Sequence, residues 1–148
     1  MKEFIFEYIL FPLVETESNQ LIRKKRPIAL LPFVLPEMTI EDNTTRIAAL
    51  IDSGADKSVS FKEIGEGLGL KFFGQATEPI SGISGETKAW KLPIKVKIGD
   101  EEFVIEINWM DKEMDANSDY PFVLGREGIF DKFDIEFKSN SKIIFRKA

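Results

Sequence analysis

Apolar and polar residues alternate along most of the chain, which is the pattern of strands that bury one face. The alternation is clearest over residues 4–8, 92–107 and 133–145. Gly99 and Asp100 interrupt the second of these segments, and residues 138–141 interrupt the third. Because short polar breaks between alternating runs favour reversal of the chain, each of these two segments predicts a β-hairpin. The sequence therefore predicts an all-β protein.

Two shorter apolar runs complete the strand pattern. Residues 28–34 form a continuous apolar run that Pro32 interrupts, and residues 46–51 predict a strand that leads to Asp52. Helix is predicted at only two places. Ser60 and Glu63 have the spacing of a capping box, with Gly69 positioned to end the helix, and a second short helix is predicted from Arg126 to Phe130.

Length and composition indicate one domain over residues 1–148, because a chain of 148 residues with 43% hydrophobic residues can bury one core. Cys and His are both absent. This excludes disulfides, Ser-His-Asp and Cys-His catalysis and His-ligated zinc, so acid–base catalysis must use carboxylates. A net charge of −5 argues against a nucleic-acid partner.

Membrane, metal and cofactor sites are also not expected. No run of 18 apolar residues is present, and acids near the start do not fit a signal peptide, so we expect a cytoplasmic protein without membrane contact. Asp115, Asn117 and Asp119 begin like a calcium loop, but the glycine of such a loop is missing and Arg126 occupies its twelfth position. A solvated acidic loop is the simpler interpretation.

The stretch with the clearest chemical content is Asp52-Ser53-Gly54-Ala55. It places a carboxylate at the end of an apolar strand, although Asp is depleted in strands and costly to bury without partners. Asp, Ser and Gly are also ordinary turn residues. The residues alone leave two interpretations open: a plain turn, or a carboxylate held in place for catalysis.

Three segments together resemble the retropepsin-like aspartic proteases. Asp52-Ser53-Gly54-Ala55 is similar to the catalytic loop of that family, and Val123-Leu124-Gly125-Arg126 is similar to its apolar strand end with Gly-Arg. Between them, Gly82-Ile83-Ser84-Gly85 is similar to the tip of the flap, a hairpin that covers the substrate. The resemblance covers about residues 28–146, with residues 1–27 as an N-terminal strand or hairpin extension. It implies a closed retropepsin-like β-barrel with one or two short helices.

The resemblance also implies a role for each residue. Asp52 would be the catalytic carboxylate, and Ser53, Gly54 and Ala55 would complete its loop. Asp56 and the flap residues would contact a peptide substrate, with the flap formed by residues 82–85. Gly125 and Arg126 would support the site, with Arg126 in a buried ion pair with Asp56. Lys57 departs from the pattern, since retroviral members often have an acid there.

A single Asp-Ser/Thr-Gly motif is present, whereas two-lobed pepsins carry two in one chain. The resemblance therefore implies a homodimer in which each subunit gives one Asp52 to an aspartic endopeptidase site. The alternatives are a peptide-binding or dimerisation module that keeps the fold without catalysis, and a protease that is silent until a partner orders its flap.

Overall fold

The computed structural model describes residues 2–11, 14–17, 20–23, 29–82, 85–115 and 119–148. The regular secondary structure of this part of the chain consists of strands and one short helix, α1 (Lys62–Gly67). The strands are β1 (Glu3–Glu7), β2 (Ile9–Phe11), β3 (Val14–Glu17), β4 (Gln20–Arg23), β5 (Ala29–Leu31), β6 (Phe33–Val34), β7 (Glu37–Ile40), β8 (Asn43–Arg46), β9 (Ala49–Ile51), β10 (Ser58–Phe61), β11 (Glu78–Gly82), β12 (Gly85–Ile98), β13 (Glu101–Met110), β14 (Phe122–Leu124), β15 (Phe133–Lys138) and β16 (Lys142–Lys147). The all-β prediction is confirmed.

The main sheet has the strand order β6-β9-β14-β10-β13-β12-β7-β8, with β11 paired to β12. The predicted hairpin over residues 92–107 is formed by β12 and β13, which turn at Gly99 with a φ of +63°. A second sheet has the order β1-β16-β15 and contains the predicted C-terminal hairpin. Two further pairs, β2 with β5 and β3 with β4, lie outside these sheets.

The core is filled from alternate positions of the strands. In β13, Ile105, Ile107 and Trp109 are buried, whereas Val104 and Glu106 face outward. The indole N–H of Trp109 donates to the carbonyl of Leu92 at 3.1 Å, which satisfies the one polar group of this side chain. The same cluster includes large aromatic side chains from the other strands, namely Phe122, Phe133 and Phe145.

The first strand belongs to this core. β1 pairs antiparallel with β16, and Phe6 packs edge-on against Phe145 at 5.6 Å between ring centroids. Phe4 covers the Gly99 turn so closely that a Cβ there would lie 2.2 Å from its ring. Residues 3–7 are therefore integrated with the C-terminal hairpin. The division of the chain at residue 27 stays a prediction.

The start of α1 differs from the prediction. Ser60 lies in β10 and is buried, and its hydroxyl donates to the carbonyl of Pro121 at 2.7 Å. The carboxylate of Glu63 accepts the backbone N–H of Met114 at 2.8 Å. Phe61 is the N-cap and makes no side-chain capping bond. The predicted capping box is therefore wrong, because both of its side chains bind distant backbone groups instead.

The end of α1 agrees with the prediction. Gly69 has a φ of +102°, and its N–H donates to the carbonyl of Glu66 at 3.0 Å. The N–H of Leu70 donates to the carbonyl of Gly65 at 2.9 Å. These two bonds form a Schellman motif, which requires the left-handed conformation that glycine adopts without strain.

The second predicted helix, from Arg126 to Phe130, does not form. Residues 127–132 form consecutive turns, with the N–H of Phe130 bonded to the carbonyl of Arg126 at 2.9 Å. Gly128 has a φ of +83°, which is incompatible with a right-handed helix, so no helix can continue past the first turn here. Across the described residues, no helix is long and apolar enough to cross a membrane.

Candidate active site

Asp52 follows directly after β9, which lies between β6 and β14 in the main sheet. β9 and β14 are parallel, and Ile51 is level with Leu124. The backbone N–H of Asp52 donates to the carbonyl of Leu124 at 3.0 Å. The apolar strand therefore fixes the start of the loop, and the half-buried Asp52 side chain emerges where the strand pairing ends.

The Asp52 carboxylate is held by its own loop. Oδ1 accepts the backbone N–H of Gly54 at 2.8 Å, and the Asp52 carbonyl accepts the N–H of Ala55 at 3.3 Å. A Cβ on Gly54 would lie 3.2 Å from the same Oδ1 atom. Ser53 and Gly54 are both exposed. The turn thus presents a carboxylate with one oxygen anchored by a hydrogen bond.

Gly125 follows β14 and lies against the loop after Asp52. Its N–H donates to the hydroxyl of Ser58 at 3.1 Å, and this hydrogen bond is buried. A Cβ on Gly125 would lie 2.6 Å from the carbonyl oxygen of Lys57 and 2.8 Å from that of Ala55. Only glycine allows the two loops to approach so closely.

Two further backbone bonds join the same loops. The N–H of Arg126 donates to the carbonyl of Ala55, and the N–H of Glu127 donates to the carbonyl of Asp56, both at 2.9 Å. The structure also contains the expected ion pair between the guanidinium of Arg126 and the carboxylate of Asp56. Residues 125–127 therefore brace the catalytic loop candidate along its length.

The Asp56–Arg126 ion pair is exposed, contrary to the expectation of a buried pair. The Asp56 side chain is 71% exposed and that of Arg126 is 55% exposed. Exposed ion pairs contribute about 0.2–1 kcal/mol because water screens the charges. The backbone hydrogen bonds, and not this ion pair, are therefore the main link between the loops.

The flap candidate is the end of the hairpin formed by β11 and β12. Gly82 is paired with Gly85 in the register of this hairpin. Ile83 and Ser84 lie outside the described residues. Lower in the hairpin, Lys91 and Glu78 form an ion pair at 2.9 Å, and the hydrogen bond from Lys91 lowers the pKa of Glu78 below its ordinary value. The hairpin expected from the sequence is present, and an ion pair joins its two strands near the base.

Sequence reasoning missed Ser58. This side chain is buried, at 1% exposure, and accepts the only hydrogen bond described for the N–H of Gly125. A signal was present, since two serines at alternate positions interrupt the otherwise apolar strand β10, whose sequence is SVSF. Both serines point inward and bind backbone groups that flank β14, at Gly125 and at Pro121.

Comparisons with known proteins agree with this geometry. The family model described as "Aspartyl protease" matches residues 37–127, more than half of the chain. A retropepsin-like aspartic protease from Rickettsia conorii has a similar structure, with a TM-score of 0.58 and 16% identity over 97% of this chain and 92% of that one. EIAV protease in complex with the inhibitor HBY-793 has a TM-score of 0.53 and 19% identity over 72% of this chain and 92% of that one.

No curated protein sequence matches the chain significantly. Both solved structures have the retropepsin-like fold that the motifs predict. The family model covers both the Asp-Ser-Gly loop and Gly125-Arg126. The chain therefore belongs to the aspartyl protease family and has a retropepsin-like fold.

Proposed function

We propose that the protein is a homodimeric aspartic endopeptidase in which each subunit contributes Asp52. The observation that carries the proposal is the close packing of a second loop on the Asp52 loop: a Cβ on Gly125 would lie 2.6 Å from the carbonyl oxygen of Lys57 and 2.8 Å from that of Ala55. The hydrogen bond from the Gly54 N–H to Oδ1 of Asp52, at 2.8 Å, is one that Asp also makes in a plain turn, but a plain turn does not require a second loop at this distance.

The homodimer follows from the number of motifs. The sequence contains one Asp-Ser/Thr-Gly, and water activation by aspartic proteases requires a pair of carboxylates. A two-fold interface brings the same patch of two subunits together, so it would place the two copies of Asp52 side by side. Ser53, next in the loop and exposed, would contact the partner loop across the axis.

The chemistry follows from two carboxylates in close contact. They cannot both ionise without strong repulsion, so the pair shares one proton. The ionised carboxylate takes a proton from water, which attacks the peptide carbonyl. The other carboxyl group donates its proton to the carbonyl oxygen. As the tetrahedral intermediate collapses, the first carboxyl group gives the proton that it took from water to the leaving amine, and the second takes a proton back from a hydroxyl of the intermediate, which restores the pair with one shared proton.

Substrate would lie as an extended strand between the Asp52 loop and the flap. Backbone groups of residues 82–85 and the Asp56 carboxylate would bind its main chain, as peptides bind along exposed strands. Closure of the hairpin over the peptide would exclude water from the reacting carbonyl. We further propose that residues 1–148 act as one domain, with no cofactor, and in the cytoplasm.

Cleavage of a diverse peptide mixture tests the proposal. Wild-type protein and Asp52→Asn would be compared from about pH 3.5 to about pH 7.5, with products identified by mass spectrometry. We expect cuts by wild type that the variant does not make, with a maximum on the acidic side because the pair must carry one proton. A folded wild-type dimer that binds peptides and cuts none would support the peptide-binding module instead.

A further inference from the structure

A groove separate from Asp52 lies between β8 and α1. It has a volume of about 660 Å³ and is bounded by residues 42–45 on one side and by residues 63, 64 and 66–69 on the other. Ile47 and Ile64, both half-buried, supply apolar surface in it. Neither Asp52 nor any other residue of its loop lines the groove, so the proposed catalysis does not account for it.

One wall of the groove is a free sheet edge. β8 is the last strand in the order of the main sheet, and in the described part of the chain it pairs with β7 alone. A free edge presents unpaired backbone N–H and C=O groups, which is the surface to which an extended peptide adds as a further strand.

The hairpin register indicates which backbone groups are free. β7 and β8 are joined by a two-residue turn, with Ile40 opposite Asn43. The two residues that flank such a turn are joined by backbone hydrogen bonds, and along an antiparallel pair bonded and non-bonded pairs alternate. The next pair, Thr39 and Thr44, is therefore not joined by backbone hydrogen bonds. The hydroxyls of Thr39 and Thr44 lie 2.8 Å apart, as expected for the closer side chains of such a pair. Thr44, and by alternation Arg46, therefore direct their backbone groups away from β7.

The charged side chains that line the groove are all acidic. Asp42, Glu63 and Glu66 line it, and no Lys or Arg does. Glu63 accepts the N–H of Met114, whereas Asp42 and Glu66 form no ion pair with any described residue. Arg46 pairs with Glu37 on β7 at 3.0 Å. The groove thus combines a strand edge, apolar surface and uncompensated carboxylates.

We propose that this groove binds an extended peptide segment with basic residues at alternate positions, which adds to β8 as a strand. Its main chain would bond to the backbone groups of Thr44 and Arg46. Alternate Lys or Arg side chains would face Asp42 and Glu66, and the aliphatic residues between them would pack on Ile47 and Ile64. Period-two alternation of a strand sends the two kinds of side chain to opposite faces, so each kind is presented as a continuous row.

The test uses the full chain carrying Asp52→Asn, so that the probe is not cut. The probe is a fluorescent, end-blocked peptide of alternating Lys and Val, and its counterpart alternates Glu and Val. Binding is read by anisotropy at low and moderate salt, and amide hydrogen exchange is measured at Thr44 and Arg46. We expect the Lys–Val peptide alone to bind, with affinity that falls with salt, and to slow exchange at both amides.

Charge reversal locates the binding. Asp42→Lys with Glu66→Lys should raise the Kd of the Lys–Val peptide about tenfold. The matched control, Glu106→Lys with Asp134→Lys, makes the same change in net charge at two exposed positions away from the groove. It should leave the Kd within about twofold. The milder pair Asp42→Asn and Glu66→Gln removes the charges without reversing them and should raise the Kd about threefold. It keeps the test valid if the charge-reversed variant does not fold.

Several results would overturn the proposal. Equal loss of affinity in the groove and control variants would mean that the peptide responds only to net charge. Unchanged exchange at Thr44 and Arg46 in the presence of bound peptide would exclude strand addition at β8. Absence of binding, or equal binding of the Glu–Val peptide, would remove the basic segment as the occupant.

Discussion

Replacement of Gly125 by alanine should separate the two braced loops. The new Cβ would lie 2.6 Å from the Lys57 carbonyl oxygen, 2.7 Å from its carbonyl carbon and 2.8 Å from the Ala55 carbonyl oxygen. Ordinary contact begins near 3.4 Å, so the backbone of residues 55–57 would have to move by about 0.6–0.8 Å. All three neighbours are backbone atoms, so no side-chain rotation relieves the contact.

The energetic cost follows from this displacement. Overpacking of a well-packed site costs about 1–3 kcal/mol. The same movement strains the bond from the Arg126 N–H to the Ala55 carbonyl. We expect a loss of about 2 kcal/mol, which lowers the Tm of a chain of this size by about 4–8 °C. Residues 55–57 continue the Asp52 loop, so their movement should also displace Asp52. We therefore expect the protein that remains folded to cleave peptides more slowly than wild type.

Thermal unfolding and peptide cleavage of Gly125→Ala would be measured beside Gly67→Ala. Gly67 is the last residue of α1, and a Cβ there has nothing within 4 Å. The control should gain about 0.5 kcal/mol, because alanine favours a helix over glycine. The same chemical change thus has opposite predicted signs at the two positions. An unchanged Tm for Gly125→Ala would refute the close approach of the loops.

Three further changes test separate contacts. Ser58→Ala should cost about 1–3 kcal/mol in the free energy of unfolding, measured with urea, because it leaves a buried backbone N–H without its acceptor; a cost below about 0.5 kcal/mol would contradict this. Arg126→Ala should lower the free energy of unfolding by at most about 1 kcal/mol, since its ion pair with Asp56 is exposed. This loss should become smaller in high salt, and a loss of the same size at every salt concentration would contradict an ion pair that salt screens. The pKa of Glu78 is lowered by Lys91, so the stabilisation is present above the ordinary Glu value of 4.5 and is lost as pH falls through the lowered pKa. Glu78→Gln should therefore reduce stability near neutral pH and have no effect at the acidic end, and an equal loss at both would exclude the ion pair as the cause.

The strands were predictable where the pattern is local. The hairpin of β12 and β13 is specified by alternating apolar residues on both sides of Gly99, and all its pairs lie within ten residues of the turn, out to Ala89 with Met110. The same holds for the C-terminal hairpin. Here the sequence contains both the face that is buried and the residues that reverse the chain.

The capping box failed because a long-range contact overrides a local signal. Ser60 has the spacing to cap α1, but its hydroxyl is used by Pro121, 61 residues away in the sequence. Local spacing contains no information about which distant carbonyl enters the core. The failed helix after Gly125 has a local cause, the positive φ of Gly128, which sequence spacing alone did not indicate.

In the candidate site, too, features with a local sequence signal were predictable and features that depend on long-range contacts were not. The motifs led to Asp52 and Gly125 because they are short and contiguous. Ser58 was missed because its role depends on β14 lying between β9 and β10, which brings it to Gly125 from 67 residues away. The exposure of the Asp56–Arg126 pair could not be predicted either, since it depends on how the surrounding chain covers the two side chains.

The central claim is that one active site requires Asp52 from two subunits, and subunit mixing tests it most directly. Wild type and Asp52→Asn would be mixed in equal amounts, dissociated and reassembled, and peptide cleavage measured per wild-type subunit. If both carboxylates are required, about one quarter of the dimers carry two wild-type subunits, so activity per wild-type subunit falls to about half. It should approach zero as the variant is added in excess. Activity per wild-type subunit that stays constant at every ratio would contradict the shared site.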